Sequence, residues 1–366
     1  MNNRVVMLNN IPSPYSVDLF SCLQETYPEY EFYFIFTNTS EDNRSWKLAK
    51  GKLKKVFFLK SKIIKLKTAY DHRYIHFPEN IKKELDRIDP AIVIAKEYNP
   101  SALQSLSWCK KHHREYVHVT EGTLNSEKNL NIIQKYSRKK IIKNADYCFG
   151  ASTKSEEKLL YWGADETKTD IAYLTFDLSA YKDIRSEPVP GRLLYVGSLV
   201  ERKGIDLLFK ALQYAPSVKE LRIVGNGTPK EKEQLVKLAN EYNVEDRITW
   251  LGYKQGEDLI NEYRYARAFV LPAREDCFGL VLLEAMVSRL PIIASCYADG
   301  AYDIVIPDEN GEIEDPYDAK QFGDAIERIM TEEKYKLKAE TADCSRFELS
   351  KVAGVYRSVI EKLLKN

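Results

Sequence analysis

Leu271-Pro272-Ala273-Arg274-Glu275-Asp276-Cys277-Phe278-Gly279-Leu280-Val281-Leu282-Leu283-Glu284-Ala285-Met286 is the stretch on which the reading of the fold turns. Its opening continues a short apolar run, 268–271, that reads as a buried strand. A polar loop with two acids follows, and a helix is expected from about Phe278. A strand running into a helix through a short polar loop is the repeating unit of a parallel sheet. The opening amides of such a helix lack partners within it and carry the positive end of its dipole, which suits a phosphate. Gly279 lets a ligand approach the backbone. Glu284 is expected roughly 9 Å along the axis from the helix start. Asp276 and Glu284 then bracket a diphosphate, one acid toward sugar hydroxyls and the other toward ribose hydroxyls. Taken alone, the stretch is equally an ordinary helix with one acid before it and one inside it.

The same unit recurs on both sides. Toward the amino terminus of the stretch, strands are expected at 192–196, 220–224 and 247–251, with a helix at 204–214; beyond it, a strand is expected at 291–294. In the first half, strands are expected at 5–8, 31–36, 91–95, 116–120 and 146–150, and helices at 17–27, 100–112 and 153–162. Between the halves, Arg185-Ser186-Glu187-Pro188-Val189-Pro190-Gly191 is polar and rich in Pro and Gly, which marks a linker. A chain of 366 residues exceeds one typical core. Two α/β domains with doubly wound parallel sheets are therefore expected, 1–184 and 185–349, with a final helix at 350–366 packing back onto the first. Ligands of such sheets sit outside the carboxyl ends of the strands.

Composition is that of a globular protein, with 44% hydrophobic and 30% charged residues and a formal net charge of +1. Residues 1–184 carry 29 Lys+Arg against 23 Asp+Glu, a net of +6, which leaves −5 for the remainder. The six cysteines are scattered, with no C-x-x-C pair, which argues for a reducing compartment and against a disulfide framework or a Cys/His metal site. The first ten residues are too weakly apolar for a signal peptide, and no apolar run reaches the ~18–20 residues of a spanning helix. A cytoplasmic protein is expected. One stretch, 47–67, holds nine lysines and no acid, interleaved with Val56-Phe57-Phe58-Leu59 and Ile63-Ile64. It reads as a solvated loop and edge strand, or as a surface for anionic lipid at the inner face of the cytoplasmic membrane. Nucleic acid is not an expected partner, because the chain supplies no recognition module.

Two further strand ends carry candidate chemistry. In Val196-Gly197-Ser198-Leu199-Val200-Glu201-Arg202-Lys203-Gly204, Arg202 and Lys203 could neutralise a diphosphate. Ile223-Val224-Gly225-Asn226-Gly227 is a glycine-rich turn. These pieces, in this order, together with Leu251-Gly252-Tyr253, 291–295, 298–305 and Asn310-Gly311, resemble the carboxyl-terminal domain of the retaining glycosyltransferases of family four.

That resemblance implies the GT-B architecture, two Rossmann-like domains facing a central cleft. It implies that Glu284 is the second acid of an E-x7-E pair and holds the donor ribose. Asp276 takes the place of the first acid, with Glu275 beside it as a rival. Arg202 and Lys203 match the basic cluster for the diphosphate, with Phe278, Gly279 and Leu280 at the helix start. Ser198 stands where many members carry another Arg. Asn226, Gly227 and Tyr253 fall where the base is bordered. In the first domain the match is weaker: Asn9-Asn10-Ile11-Pro12-Ser13-Pro14-Tyr15 replaces the usual glycine-rich loop, as in some bacterial polysaccharide and lipopolysaccharide enzymes, and Glu121 stands for the loop histidine. The implied activity is transfer of a sugar from a nucleotide sugar, with UDP preferred, to a glycan or lipid-linked glycan. The anomeric configuration is retained and no cofactor takes part; the chain has no D-x-D triplet, so no metal is expected. The rival activities are a sugar-nucleotide epimerase and a non-catalytic nucleotide-sugar-binding or membrane-docking subunit.

Overall fold

A computed structural model of the chain describes residues 2–39, 51–67, 72–182, 184 and 187–365. It divides into two units, Met1–Asp177 with Ser345–Asn366, and Leu178–Cys344.

The strands of the first unit are β1 Arg4–Asn9, β2 Glu31–Phe36, β3 Val56–Phe58, β4 Ser61–Lys67, β5 His72–Pro78, β6 Ile92–Lys96, β7 Glu115–Thr120, β8 Tyr147–Gly150 and β9 Thr169–Ile171. Seven of them form one sheet in the order β3-β2-β1-β6-β7-β8-β9, and every neighbouring pair is parallel. The sequence of β1 is almost continuously apolar because both of its faces are covered. Val5 and Met7 join Phe20, Phe34 and Phe36 on one side; Val6 and Leu8 join Ile35, Val93 and Leu106 on the other. Phe20 stacks on Phe34 with centroids 5.1 Å apart. The helix Leu349–Lys365 belongs to the first of these cores, with the Tyr356 ring 4.7 Å from that of Phe149. Strands β4 and β5 make a separate antiparallel pair.

The second unit contains β10 Arg192–Val196, β11 Glu220–Val224, β12 Ile248–Gly252, β13 Ala268–Leu271, β14 Ile292–Ser295 and β15 Gly311–Glu314. Their order is β12-β11-β10-β13-β14-β15, again all parallel. This is the doubly wound order in which the winding reverses between the first and fourth strands, here β10 and β13. Its core centres on Leu193, Tyr195, Phe209, Val270, Ile293 and Phe322.

Several boundaries differ from expectation. The first unit ends at Asp177 rather than at residue 184. The short helix Ser179–Lys182 packs into the second unit through Tyr181, edge-on to Tyr263 with centroids 5.7 Å apart. Residues 187 and 189 hydrogen-bond the carbonyls of Arg264 and Tyr265, so the Pro-rich stretch is bound to the second unit along part of its length. At the other end the chain is back in the first unit from Ser345. The first helix begins at Pro14, not at 17; proline at the start of a helix loses no hydrogen bond there. Strands β9 and β15 and the β4–β5 pair were not anticipated, whereas Val56–Phe58 is indeed an edge strand. No described helix is long and apolar enough to cross a membrane.

Candidate functional site

The loops after β10 and β13 meet at the point where the winding of the second sheet reverses. Gly204 has a left-handed backbone (φ 70°), and a Cβ placed on it would lie 1.9 Å from the carbonyl oxygen of Pro272. Only glycine allows the two loops to come this close. The contact is laced by the main chain: the N–H of Arg274 donates to the carbonyl of Arg202 at 2.8 Å. Arg202 in turn donates through Nη1 to the carbonyl of Glu275 at 2.8 Å. Arg274 forks onto the Asp206 carboxylate at 2.7 and 2.6 Å and also donates to the Glu201 carbonyl at 2.8 Å.

This lacing brings Lys203 and Asp276 into an ion pair whose side chains are only 14% and 12% exposed. Burial raises the Asp276 carboxyl, but Lys203, Arg202 and the N–H of Phe278 outweigh it and hold it below the usual carboxylate range. Asp276 thus forms the ion pair, while Glu275 contributes a main-chain carbonyl. On its far side the Asp276 segment is tied to the loop after β14: its N–H donates to the Tyr297 carbonyl at 3.1 Å, and its carbonyl accepts from Asp299 at 2.8 Å. Phe278 is buried, and its carbonyl lies 2.0 Å from where a Cβ on Gly300 would stand.

The helix after this loop starts at Leu280, not at Phe278, because Gly279 takes the left-handed conformation (φ 70°) and ends the loop. Glu284 therefore lies one turn into Leu280–Val287, roughly 6 Å along the axis rather than 9. Its half-buried carboxylate accepts from the Tyr263 hydroxyl at 2.6 Å and from Tyr181. Burial pushes this carboxyl up to about 7, against the lowering effect of the two hydroxyls.

The remaining loops of the same sheet edge converge similarly. Gly225 has φ 151°, and a Cβ on it would stand 1.7 Å from the Gly197 carbonyl oxygen. Its N–H donates to the Gly252 carbonyl at 2.8 Å, and the Asn226 carbonyl accepts from Leu199 at 3.0 Å. Ser198, Asn226, Gly227 and Tyr253 are exposed around this junction, and the Ser198 carbonyl accepts from the Tyr195 hydroxyl at 2.9 Å. The loop candidates of the second unit thus follow the carboxyl ends of strands of one sheet, and Glu284 lies one turn into the helix after β13.

In the first unit, Glu121 follows β7 and pairs with Lys96 at the end of β6. The Lys96 ammonium sits 4.9 Å from the Tyr15 ring centre, and the charges of Glu121 and Tyr15 raise it against its burial. Glu121 and Lys96 line a cavity of about 40 Å³ with Asn9, Tyr15, Thr175 and Tyr356, enough for one or two waters. The Glu121 N–H donates to the carboxylate of Glu97 at 2.7 Å, and Glu97 itself has a left-handed backbone (φ 63°). Behind this loop lies a buried charged group: Arg138 forks onto Glu127 at 3.1 and 2.8 Å, and Lys158 donates to Thr120 at 2.8 Å. Of the lysine-rich stretch, Lys47 and Lys50 fall outside the described residues. Lys52 and Lys55 are paired with Asp18 and Glu31, which come from other elements and so escape a local count of charges.

Three groups at the second-unit site went unassigned in the sequence. Arg274 sits inside the quoted stretch, and a basic residue beside two acids was a signal that could have been read. Tyr181 and Tyr263 come from distant helices and carry no local signal.

Residues 182–343 match the family described as glycosyl transferases group 1. Among curated relatives, the D-inositol 3-phosphate glycosyltransferase of Mycolicibacterium smegmatis is 27% identical over 49% of this chain and 44% of its own length. The alpha-D-kanosaminyltransferase of Streptomyces kanamyceticus is 25% identical over 55% of this chain and 54% of its own length. The chain thus spans about half the length of the curated relatives it matches. Two solved structures share the fold across almost the whole chain. The lipopolysaccharide outer core galactosyltransferase WaaB in its apo form has TM-score 0.75 and 19% identity, covering 98% of this chain and 99% of that one. Anabaena HepE in complex with UDP has TM-score 0.77 and 14% identity, covering 98% and 100%. Residues 182–343, which match the glycosyl transferases group 1 model, hold the laced Lys203–Asp276 pair, and the chain has the two-domain GT-B fold.

Proposed function

We propose that this chain is a retaining glycosyltransferase that moves a sugar from a UDP-sugar to a glycan or lipid-linked glycan in cell-surface polysaccharide synthesis. The observation that carries this reading is the Lys203–Asp276 pair beside Arg202, at the reversal point of the second sheet. Nucleotide phosphates bind at such points, outside the carboxyl ends of the strands. Arg202, Lys203 and the first amides of the helix Leu280–Val287 balance the diphosphate, so neither a metal nor a cofactor is required. Glu284 accepts from the ribose hydroxyls, and Asp276, with Glu275 beside it, meets the transferred sugar. Ser198, Asn226, Gly227 and Tyr253 border the base, and Gly279 admits the phosphates. Glu121 takes the place of the loop histidine and contacts the donor sugar. The leaving phosphate takes the proton of the incoming hydroxyl, so no single side chain is the indispensable base.

Proteins of the same fold support this class. WaaB is a lipopolysaccharide galactosyltransferase, and HepE has been captured with UDP-glucose. We place the protein in the cytoplasm, with a basic surface meeting the inner face of the membrane. The test is turnover across a panel of UDP-, GDP- and ADP-sugars with glycan acceptors. Lys203→Ala is expected to lower kcat by about 100-fold or more. Unaltered turnover by Lys203→Ala would overturn the site. Donor binding without any turnover would favour a binding subunit, and epimerised donor without an acceptor would favour an epimerase.

A further inference from the structure

We infer that the first turns of the helix Ile132–Asn144 form the surface through which this protein docks on an anionic bilayer. The inference rests on the peripheral-membrane part of the reading above and not on its chemistry. Ile132 is 83% exposed, Ile133 75% and Tyr136 65%, and no other large hydrophobic residue among those described reaches the first two values. Residues three and four apart lie side by side on a helix, so these three side chains make one apolar patch. The helix has no freedom to turn the patch inward. Its opposite side is held by buried Ile141 and Ile142 and by Arg138, whose guanidinium is forked onto buried Glu127.

The charge around the patch identifies the partner. From 122 to 145 the one acid in the sequence is Glu127, and it is buried. Lys128, Lys135, Lys139, Lys140 and Lys143 are exposed, and among the described residues none of them forms an ion pair with an acid. Lys140 stands 5.9 Å from the Tyr136 ring centre. In the lysine-rich stretch of 47–67, Lys52 and Lys55 are neutralised while Lys54, Lys60, Lys62 and Lys65 are exposed, and the difference lies in its apolar side chains: Phe58, Ile63 and Ile64 are only 44%, 39% and 41% exposed. Protruding apolar side chains ringed by uncompensated lysines match an interface of acyl chains below and anionic headgroups above. A protein groove would call instead for an apolar stripe along the helix, and past Tyr136 the exposed positions are Lys139, Lys140, Lys143 and Asn144.

The test is co-sedimentation of the full chain with phosphatidylcholine vesicles, with and without phosphatidylglycerol. Wild type is expected to bind only the anionic vesicles, and less as salt is raised. The Ile132→Ser/Ile133→Ser/Tyr136→Ser variant is expected to lose about tenfold or more in vesicle affinity. Its circular dichroism and its thermal shift with UDP should be unchanged, because the three side chains are outside the core. A Lys60→Gln/Lys62→Gln/Lys65→Gln variant should lose much less. Full binding by the triple-serine variant would overturn the inference while leaving peripheral association intact. Failure of wild type to bind anionic vesicles would overturn both, and a dimer abolished by the serine substitutions would assign the patch to a second copy.

Discussion

The two sheets share one winding, yet the crevices at their reversal points are built from different materials. In the second unit the loops meet backbone to backbone, at Gly204 against Pro272, Gly225 against Gly197 and Gly300 against Phe278. In the first unit one such approach recurs, Gly150 against the Glu156 main chain, but around Glu121 the edge is held by side chains, with Lys96 on Glu121, Glu97 on the Glu121 amide, and Arg138 and Lys158 around Glu127. Backbone lacing fixes the positions of Arg202 and Lys203 through the main chain, whereas side-chain lacing can be recomposed residue by residue without moving the backbone.

The largest effect should come from putting a Cβ into the backbone lacing. Gly225→Ala places a methyl 1.7 Å from a carbonyl oxygen at a φ that other residues rarely adopt. It should cost about 3 kcal/mol or more in the unfolding transition of the second unit. Gly122→Ala, in the first unit, meets the Lys158 ammonium at 2.9 Å with no unfavourable φ, and should cost about 1 kcal/mol. Equal costs in calorimetry would erase the distinction between the two crevices.

A second prediction concerns Glu284. Its carboxyl is pushed up to about 7 in the folded protein, so the native state holds a proton that the unfolded chain releases near its ordinary value of 4.5. Between those values the unfolded state binds fewer protons, and stability must therefore fall as pH rises from about 4.5 to 7. Glu284→Gln should remove this decline and gain at most about 3 kcal/mol over wild type near pH 8. Parallel melting curves for the two proteins between about pH 5 and 8 would contradict the assignment. If the charged form receives the ribose, UDP affinity of the wild type should rise over the same window.

The smallest of these effects is expected at Glu121. Glu121→Gln keeps the shape and the main-chain bond to Glu97 but weakens the Lys96 pair. It should lower kcat about tenfold and leave the KM for the donor unchanged. A raised donor KM with kcat intact would make Glu121 a donor-binding group instead.

The same contrast explains what could be read from the sequence. The second-unit crevice is written in glycines, a proline and charged residues at fixed offsets from strand ends, so Arg202, Lys203, Asp276 and Glu284 could be singled out by local pattern. The helix start was misplaced by two residues because Gly279 serves the loop and not the helix. What completes the site, Tyr181 and Tyr263 on Glu284 and Arg274 on Asp206, depends on contacts between segments far apart in the chain. In the first unit nearly everything has that character: Lys96 and Glu97 stand at the end of one strand, Glu127, Arg138 and Lys158 come from three other segments, and of its crevice only Glu121 was anticipated. Alternation of apolar runs and helical stretches sufficed for the fold class, but not for β9, β15 or the β4–β5 pair, which are short or carry many charges.

The return of the chain to the first unit at Ser345 bears on the order in which the protein matures during synthesis. The second unit is contiguous, and all of it has been made once Cys344 is joined. The first unit, although it begins the chain, lacks the face that Tyr356 and Ile360 supply until the helix Leu349–Lys365 has left the ribosome. Domains otherwise tend to fold from the amino terminus onward at the pace of translation. Here the half translated first is completed last, and the side of Phe149 that packs on Tyr356 has no partner until the second unit has been made. A ribosome stalled in that interval would display the second unit folded and the first with an open core, a species for chaperones and proteases to sort.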